Sequence, residues 1–135
     1  MIKLIVGSKG SGKTTKMIDM INESVKTTNG NIVCIETSMK LTYNLDHKCR
    51  LIHMDEYRIK GYDMLYGLIA GILAGNYDIM EVYVDGILKI GDHDLEGLGQ
   101  LLKKLDTMVG DSVMLCITVS SDMDTLPPTV LEYVD

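Results

Sequence analysis

Eight consecutive residues near the start of the chain have the types and spacing of a phosphate-binding loop. Gly7 to Thr14 has the sequence Gly-Ser-Lys-Gly-Ser-Gly-Lys-Thr and fits the pattern G-x-x-x-x-G-K-[ST] at every specified position. In such a loop the backbone N–H groups point toward a polyphosphate, a lysine neutralises phosphate charge and a hydroxyl binds Mg²⁺. We therefore expect Lys13 to contact phosphate and Thr14 to bind the metal. The predicted nucleotide-binding residues are Gly7, Ser8, Lys9, Gly10, Ser11, Gly12, Lys13, Thr14 and Thr15.

The residues on either side of this loop have the patterns of a strand and a helix. Ile2 to Val6 is an apolar run typical of a buried strand, and Lys13 to Val25 has apolar residues at helical spacing. The start of a helix offers unsatisfied N–H groups and a positive dipole end, both of which favour phosphate. Strand, glycine loop and helix are thus the setting that the chemistry requires.

A nucleoside triphosphatase also needs a carboxylate that holds the Mg²⁺ shell. Asp85 directly follows the strongly apolar run Ile79–Val84, which predicts a strand. Asp55 follows a weaker predicted strand that is interrupted by His53. The sequence favours Asp85 as the metal residue and leaves Asp55 open as the alternative.

A second carboxylate usually orients the attacking water. Glu36 ends the apolar run Ile32–Ile35, a predicted strand that follows the phosphate-loop helix. Ligands of open α/β sheets bind beyond the carboxyl ends of the strands. Glu36 is therefore the predicted catalytic carboxylate, alongside Lys13, and Ser120 is a weaker candidate for a hydroxyl that senses the γ-phosphate.

Predicted strands and helices alternate along the chain. Helices are predicted over Tyr62–Ala74 and Asp94–Val109, and a last strand over Ser112–Val119. This alternation predicts a three-layer α/β/α fold, a parallel sheet with helices on both faces, in one domain over residues 1–135. Glycines at every fourth position of the first of these helices, from Gly67 to Gly75, predict that it packs closely on the sheet.

Composition excludes several classes of function. The net charge of −6 argues against a nucleic-acid surface, which would need clustered Lys and Arg. Three cysteines without a C-x-x-C pair indicate neither a zinc site nor a disulfide framework, and Cys34 and Cys116 are expected in the core. No uncharged stretch is long enough to span a bilayer and no secretory signal is seen, so we expect a cytoplasmic protein.

Three stretches resemble the ATPase core shared by recombinases and hexameric replicative helicases, the RecA-like fold of P-loop NTPases. The stretches are Gly7–Thr14, Val33–Ser38 and Val82–Ile90. The resemblance implies that Lys13 and Thr14 bind the phosphates and metal of Mg·ATP, that Glu36 activates water and that Asp85 holds Mg²⁺. It also implies a homo-oligomer or a protein partner, because the family forms its sites between subunits and this sequence has no evident arginine finger.

Two further resemblances widen the choice of function. The whole chain is similar to short bacterial ATP-binding proteins that are often named twitching-motility ATPases. The part from Asp85 to the proline-containing tail resembles the small P-loop thymidine kinases, although it lacks their carboxylate pair and zinc lobe.

The sequence thus favours a Mg·ATP-binding protein that hydrolyses ATP slowly or when a partner activates it. A non-hydrolysing switch remains open, in which ATP orders the loops around Ser38–Lys48 and Asp55–Gly61. Phosphoryl transfer to a small molecule, as in nucleoside kinases, is the third hypothesis.

Overall fold

The computed structural model describes residues 1–37 and 44–134, and its strands form one parallel sheet. The strands are β1 (Ile2–Gly7), β2 (Asn31–Glu36), β3 (Cys49–His53), β4 (Ile79–Val84) and β5 (Met114–Ser120). They lie in the order β1-β5-β4-β2-β3, and all four neighbouring pairs are parallel. The predicted α/β class with a parallel sheet is confirmed.

Helices occupy most of the connections between these strands. They are α1 (Lys13–Thr27), α2 (Gly61–Gly75), α3 (Ile87–Ile90), α4 (Leu95–Val109) and α5 (Pro128–Leu131). Short 3₁₀ turns cover Met54–Tyr57 and Met123–Thr125. The single turn of α3, directly after Gly86, was not predicted. The start of α4 agrees with the prediction, because Asp94 precedes its first residue and accepts a hydrogen bond from Gly97 N.

Two separate apolar clusters lie on the two faces of the sheet. On one face α1 contributes Met17 and Ile21, which pack with Cys34, Tyr83 and Cys116. On the other face the strands pack against α2, α3 and α4. That cluster includes Val33, Ile35, Val82, Val84, Leu65, Ile69, Leu98 and Leu102. Side chains of a strand alternate between faces, so continuous apolar runs such as Ile32–Ile35 supply both clusters and produce three layers.

The predicted role of the glycines in α2 is wrong. A Cβ added at Gly67, Gly71 or Gly75 would meet no atom within 4 Å, so these residues do not allow a close approach to the sheet. Leu65 and Ile69 are instead the fully buried residues of this helix. Residues four apart share one helix face, and here the glycine face is turned away from the core.

The parallel direction of the strands fixes where the candidate site residues lie. The predicted phosphate-binding loop follows β1, Glu36 ends β2, and Asp85 follows β4. All three therefore lie at the same edge of the sheet, formed by the carboxyl ends of the strands. Among the residues that the structure describes, no helix is long and apolar enough to cross a membrane.

Alanine in place of Gly67 or Gly71 should stabilise the fold. Each glycine lies inside α2 with open space around it, so alanine should raise the free energy of unfolding by about 0.5–1 kcal/mol through helix propensity. Gly99→Ala in α4 is the contrasting variant. The added Cβ would lie 2.7 Å from Cβ of Thr129, so this substitution should destabilise the protein. Urea denaturation measures both effects, and a loss of stability in Gly67→Ala would contradict the open environment of α2.

Candidate functional site

The predicted phosphate-binding loop has glycine where its backbone requires glycine. Gly10 and Gly12 have φ of 85° and 86°, in the left-handed region that costs other residues about 1–2 kcal/mol. A Cβ at Gly7 would overlap the side chain of Ser11, whose backbone N donates to Ser8 O at 3.1 Å. The loop is therefore a tight turn, and residues 8–12 are exposed and accessible to a ligand.

Lys13 places a nearly buried ammonium group across this loop. It is the first residue of α1, its exposed fraction is 8%, and its Nζ donates to Ser8 O at 2.9 Å. Within residues 1–37 and 44–134, no carboxylate oxygen lies within 4.0 Å of this nitrogen. Burying a charge without a counter-ion is unfavourable, so the loop is electrostatically suited to an anion.

Thr14 and Asp85 meet although they lie 71 residues apart in the chain. Thr14 Oγ1 lies 3.2 Å from Asp85 Oδ1 and 3.4 Å from Oδ2. The alternative carboxylate, Asp55, is exposed in the 3₁₀ turn after β3, the strand farthest from β1 in the sheet. Of the two candidates, the structure brings only Asp85 to Thr14.

Thr118 completes the surroundings of Asp85 and was not predicted from the sequence. Its Oγ1 donates to Asp85 Oδ1 at 2.7 Å and accepts from Gly86 N at 2.8 Å. It lies on β5, between β1 and β4, and is 1% exposed. A hydroxyl between Ile117 and Val119 in a buried strand was the signal that could have identified it.

Glu36 is buried and paired with His53. The two residues are register partners at the ends of β2 and β3, and Glu36 Oε1 lies 3.0 Å from His53 Nδ1. Their side chains are 3% and 11% exposed. The predicted carboxylate is thus a positioned buried group, and its partner is a histidine that the sequence pattern had shown only as an interruption of an apolar strand.

Glu36 and Asp85 lie at adjacent strand ends. The preceding residues, Ile35 and Val84, are register partners, and Asp85 N donates to Ile35 O at 2.9 Å. Burial raises the pKa of the Cys34 thiol, and the neighbouring Cys49, Asp85 and Glu36 raise it further. The two predicted carboxylates therefore follow neighbouring positions of adjacent strands, and of the two, Asp85 contacts Thr14.

The remaining predicted residues have less defined surroundings. Ser120, the candidate sensor, ends β5 opposite Gly7 and is exposed, and Thr15 is an exposed residue in the first turn of α1. The predicted switch loop Ser38–Lys48 lies partly outside the described residues. Cys34 and Cys116 are buried, as predicted, and burial raises the pKa of Cys116 to about 11, so both are inert core thiols.

The oxygen atoms at Asp85 fit a small divalent cation bound together with phosphate. In the part of the chain that the structure describes, no group of three or more His, Cys, Asp or Glu residues forms a metal-binding cluster. Mg²⁺ in nucleotide sites needs only one or two protein oxygens, because phosphates and water complete its octahedron. The hydroxyl of Thr14 and the carboxylate of Asp85 are hard ligands of this kind.

Comparison with known proteins adds no family to these observations. No protein-family model matches the chain, and a search of curated proteins finds no match. A function is therefore argued from the site itself.

Replacement of His53 should destabilise the protein in a way that depends on Glu36. His53→Leu removes a polar partner of a buried carboxylate and should lower the free energy of unfolding by about 1–3 kcal/mol. His53→Asn keeps an N–H donor near Nδ1 and should lose less. Both His53 variants are made in the wild-type protein and in the Glu36→Gln variant, and denaturation gives the loss of free energy of unfolding in each case. If a His53 variant lost the same free energy in both backgrounds, the coupling between His53 and Glu36 would be contradicted.

Proposed function

We propose that this protein is a P-loop NTPase of the RecA-like class that binds Mg·ATP and hydrolyses it slowly when alone. The observation that carries the proposal is the contact between Thr14 and Asp85. The Thr14 hydroxyl and the carboxylate of Asp85, which follows β4, lie 3.2 Å apart, and the residue before Thr14 is the nearly buried Lys13. The contact brings together a hydroxyl and a carboxylate, the oxygen ligands that Mg²⁺ prefers.

The loop would bind the triphosphate through its backbone and through Lys13. The glycines at 10 and 12 allow the tight turn, and α1 begins at Lys13 with free N–H groups and the positive end of its dipole. A phosphate oxygen would offer the Lys13 ammonium a charged acceptor, a stronger partner than the neutral Ser8 carbonyl. Binding would thus satisfy the only strongly desolvated cation of the described site.

Thr14 and Asp85 would hold the metal, and Thr118 would fix Asp85. When bound, Mg²⁺ neutralises charge on the β- and γ-phosphate oxygens. Asp85 already accepts hydrogen bonds from two hydroxyls, so its carboxylate is oriented before any ligand arrives. Groups oriented in advance stabilise the charge of the transition state more than the same groups would in water, because they need not reorganise during the reaction.

Glu36 would orient the attacking water. The water oxygen would form a bond to the γ-phosphorus, ADP would leave, and the water proton would pass to the Glu36 carboxylate. His53 would hold that carboxylate in place through the 3.0 Å contact. Because the sequence has no evident arginine finger, we expect slow turnover unless a second subunit or a protein partner supplies one.

Lys13→Ala and Glu36→Gln should separate binding from turnover. Lys13→Ala should weaken ATP binding about tenfold or more, since it removes a charged hydrogen bond. Glu36→Gln should keep ATP affinity and lose about 10²- to 10⁴-fold in turnover, the range for a general base. Phosphate release measures turnover, and titration with a fluorescent ATP analogue measures affinity. GTP is tested in parallel, because the choice of ATP rests on the family resemblance.

Lys16→Ala is the matched control for Lys13→Ala. Lys16 is an exposed residue of the same helix, three positions further on, and its replacement should leave binding and turnover unchanged. No ATP or GTP binding by the wild type in the presence of Mg²⁺ would contradict the proposal. Binding without turnover would favour the nucleotide switch instead.

Thr118→Val should change the Mg²⁺ dependence of turnover. The substitution keeps the shape of the side chain and removes the hydroxyl that orients Asp85, so the Mg²⁺ concentration for half-maximal turnover should rise about tenfold. Thr118→Ser keeps the hydroxyl and should remain close to wild type. The measurement is phosphate release as a function of Mg²⁺ concentration. Identical curves for Thr118→Val and the wild type would contradict a role of Thr118 in orienting Asp85.

A further inference from the structure

A groove lies between β3, at the edge of the sheet, and the C-terminal half of α2. Its volume is about 390 Å³, within the size range of binding pockets. Arg50 and Ile52 of β3 line it, together with Gly71 and Gly75 of α2. Ile79, the first residue of β4, lines it as well. We call this region the β3–α2 groove.

The groove is open because α2 contributes glycines to its wall. A Cβ added at Gly71 or Gly75 would meet no atom within 4 Å, so no side chain fills the space beside the helix. Ile52 and Ile72 line the groove and are half-buried, so part of their apolar surface remains in contact with water. Covering this surface with an apolar side chain from another molecule is favourable, because it removes apolar area from water.

Tyr77 projects into solvent beside this groove. It is 96% exposed, more than any other large apolar side chain that the structure describes. The turn that carries it is held in place, since Asp78 N donates to Asn76 Oδ1 at 2.9 Å and Asn31 N donates to Asp78 O at 2.8 Å. Asn76 and Asn31 also line the groove. A tyrosine ring buries roughly 150–250 Å² when it is covered, so an exposed and positioned ring of this kind suits an interface.

The groove and the turn carry opposite charges. Lys48 and Arg50 line the groove and are exposed, and Asp78 is exposed directly after Tyr77. Within residues 1–37 and 44–134, none of these three charged groups lies within 4.0 Å of a group of opposite charge. The chain as a whole has a net charge of −6, so the groove is locally basic on an acidic protein. An acidic turn from another molecule would therefore find complementary charge there.

The groove and the exposed tyrosine occupy one continuous face, which favours a second copy of the chain as the occupant. A two-fold interface uses the same patch on both copies, so the patch must contain both a projection and a recess that fits it. Here the projection, Tyr77, directly follows Asn76, which lines the recess. A partner that filled the groove alone would leave the tyrosine ring in water.

We propose that two copies of this chain form a two-fold dimer through this face. Tyr77 of each copy inserts into the β3–α2 groove of the other, and Asp78 forms an ion pair with the partner's Arg50. The groove lies toward the amino ends of the strands, because Asn31 and Ile79 begin β2 and β4 and both line it. The candidate nucleotide residues lie at the carboxyl ends, so the dimer leaves them accessible. The inference is therefore independent of the proposed function.

Tyr77→Ser tests the inserted ring. It should raise the dissociation constant of the dimer by about 100-fold, since each lost aromatic anchor costs about tenfold and the contact occurs twice. Tyr57→Ser is the matched control, because Tyr57 is a second exposed tyrosine in the 3₁₀ turn after β3 and does not line the groove. Its replacement should leave the dissociation constant unchanged.

A pair of glycine variants in α2 tests the groove. Gly71→Leu places a side chain in the groove and should weaken the dimer by a similar factor. Gly67 is equally open but does not line the groove, so Gly67→Leu should leave the dimer intact. Both positions lie in the same helix and accept a Cβ without contact, so neither variant should unfold the protein.

Reversed charges test the ion pair. Asp78→Arg should weaken the dimer about tenfold or more, because it places a cation beside the partner's Arg50. Adding Arg50→Asp to the same chain restores opposite charges at each contact and should recover most of the affinity. Such recovery requires contact between residues 78 and 50 of two copies.

Sedimentation velocity of the full chain over a range of protein concentrations measures the dissociation constant of each variant. We expect a concentration-dependent species of twice the mass of one chain, weakened in Tyr77→Ser and Gly71→Leu and kept in the two controls. A wild type that stays monomeric up to about 1 mM would overturn the inference and assign the groove to a different partner. A dimer that persists unchanged in Tyr77→Ser and Gly71→Leu would overturn it too, because the copies would then pair through another surface.

Discussion

A carboxylate held between two hydroxyls links the parts of this structure that matter most for its chemistry. Asp85, after β4, accepts hydrogen bonds from Thr14 at the start of α1 and from Thr118 on β5. A partly buried carboxylate needs such partners, because desolvation without hydrogen bonds costs several kcal/mol, on the order of 2–7 for a polar group and more for a charge. The three elements are therefore fixed relative to one another, and with them the distance from the phosphate loop to the ends of the central strands.

The direction of the strands explains why residues far apart in the chain share one edge of the sheet. All five strands are parallel, so every loop after a strand emerges on the same side of the sheet. The predicted phosphate loop follows β1, Glu36 ends β2 and Asp85 follows β4. Since Ile35 and Val84 are register partners, the two carboxylate residues end neighbouring strands.

Local charge, rather than net charge, decides which ligands the predicted phosphate loop suits. The chain carries a net charge of −6, which opposes polyanions at long range. Within the loop, however, a nearly buried lysine has no carboxylate partner in the described structure, so the loop is electrostatically suited to an anion.

Features that are local in the chain could be predicted from the amino-acid sequence alone. The loop was predictable because eight adjacent residues specify its glycine conformations, and the α/β class followed from apolar runs alternating with helical patterns. The choice between Asp85 and Asp55 needed the strand order, because only the sheet places β4 two positions from β1. Thr118 and His53 became partners of carboxylates through strand neighbours, which sequence spacing does not encode. The glycine face of α2 was misassigned because periodicity shows which residues share a face, whereas packing decides which way that face points.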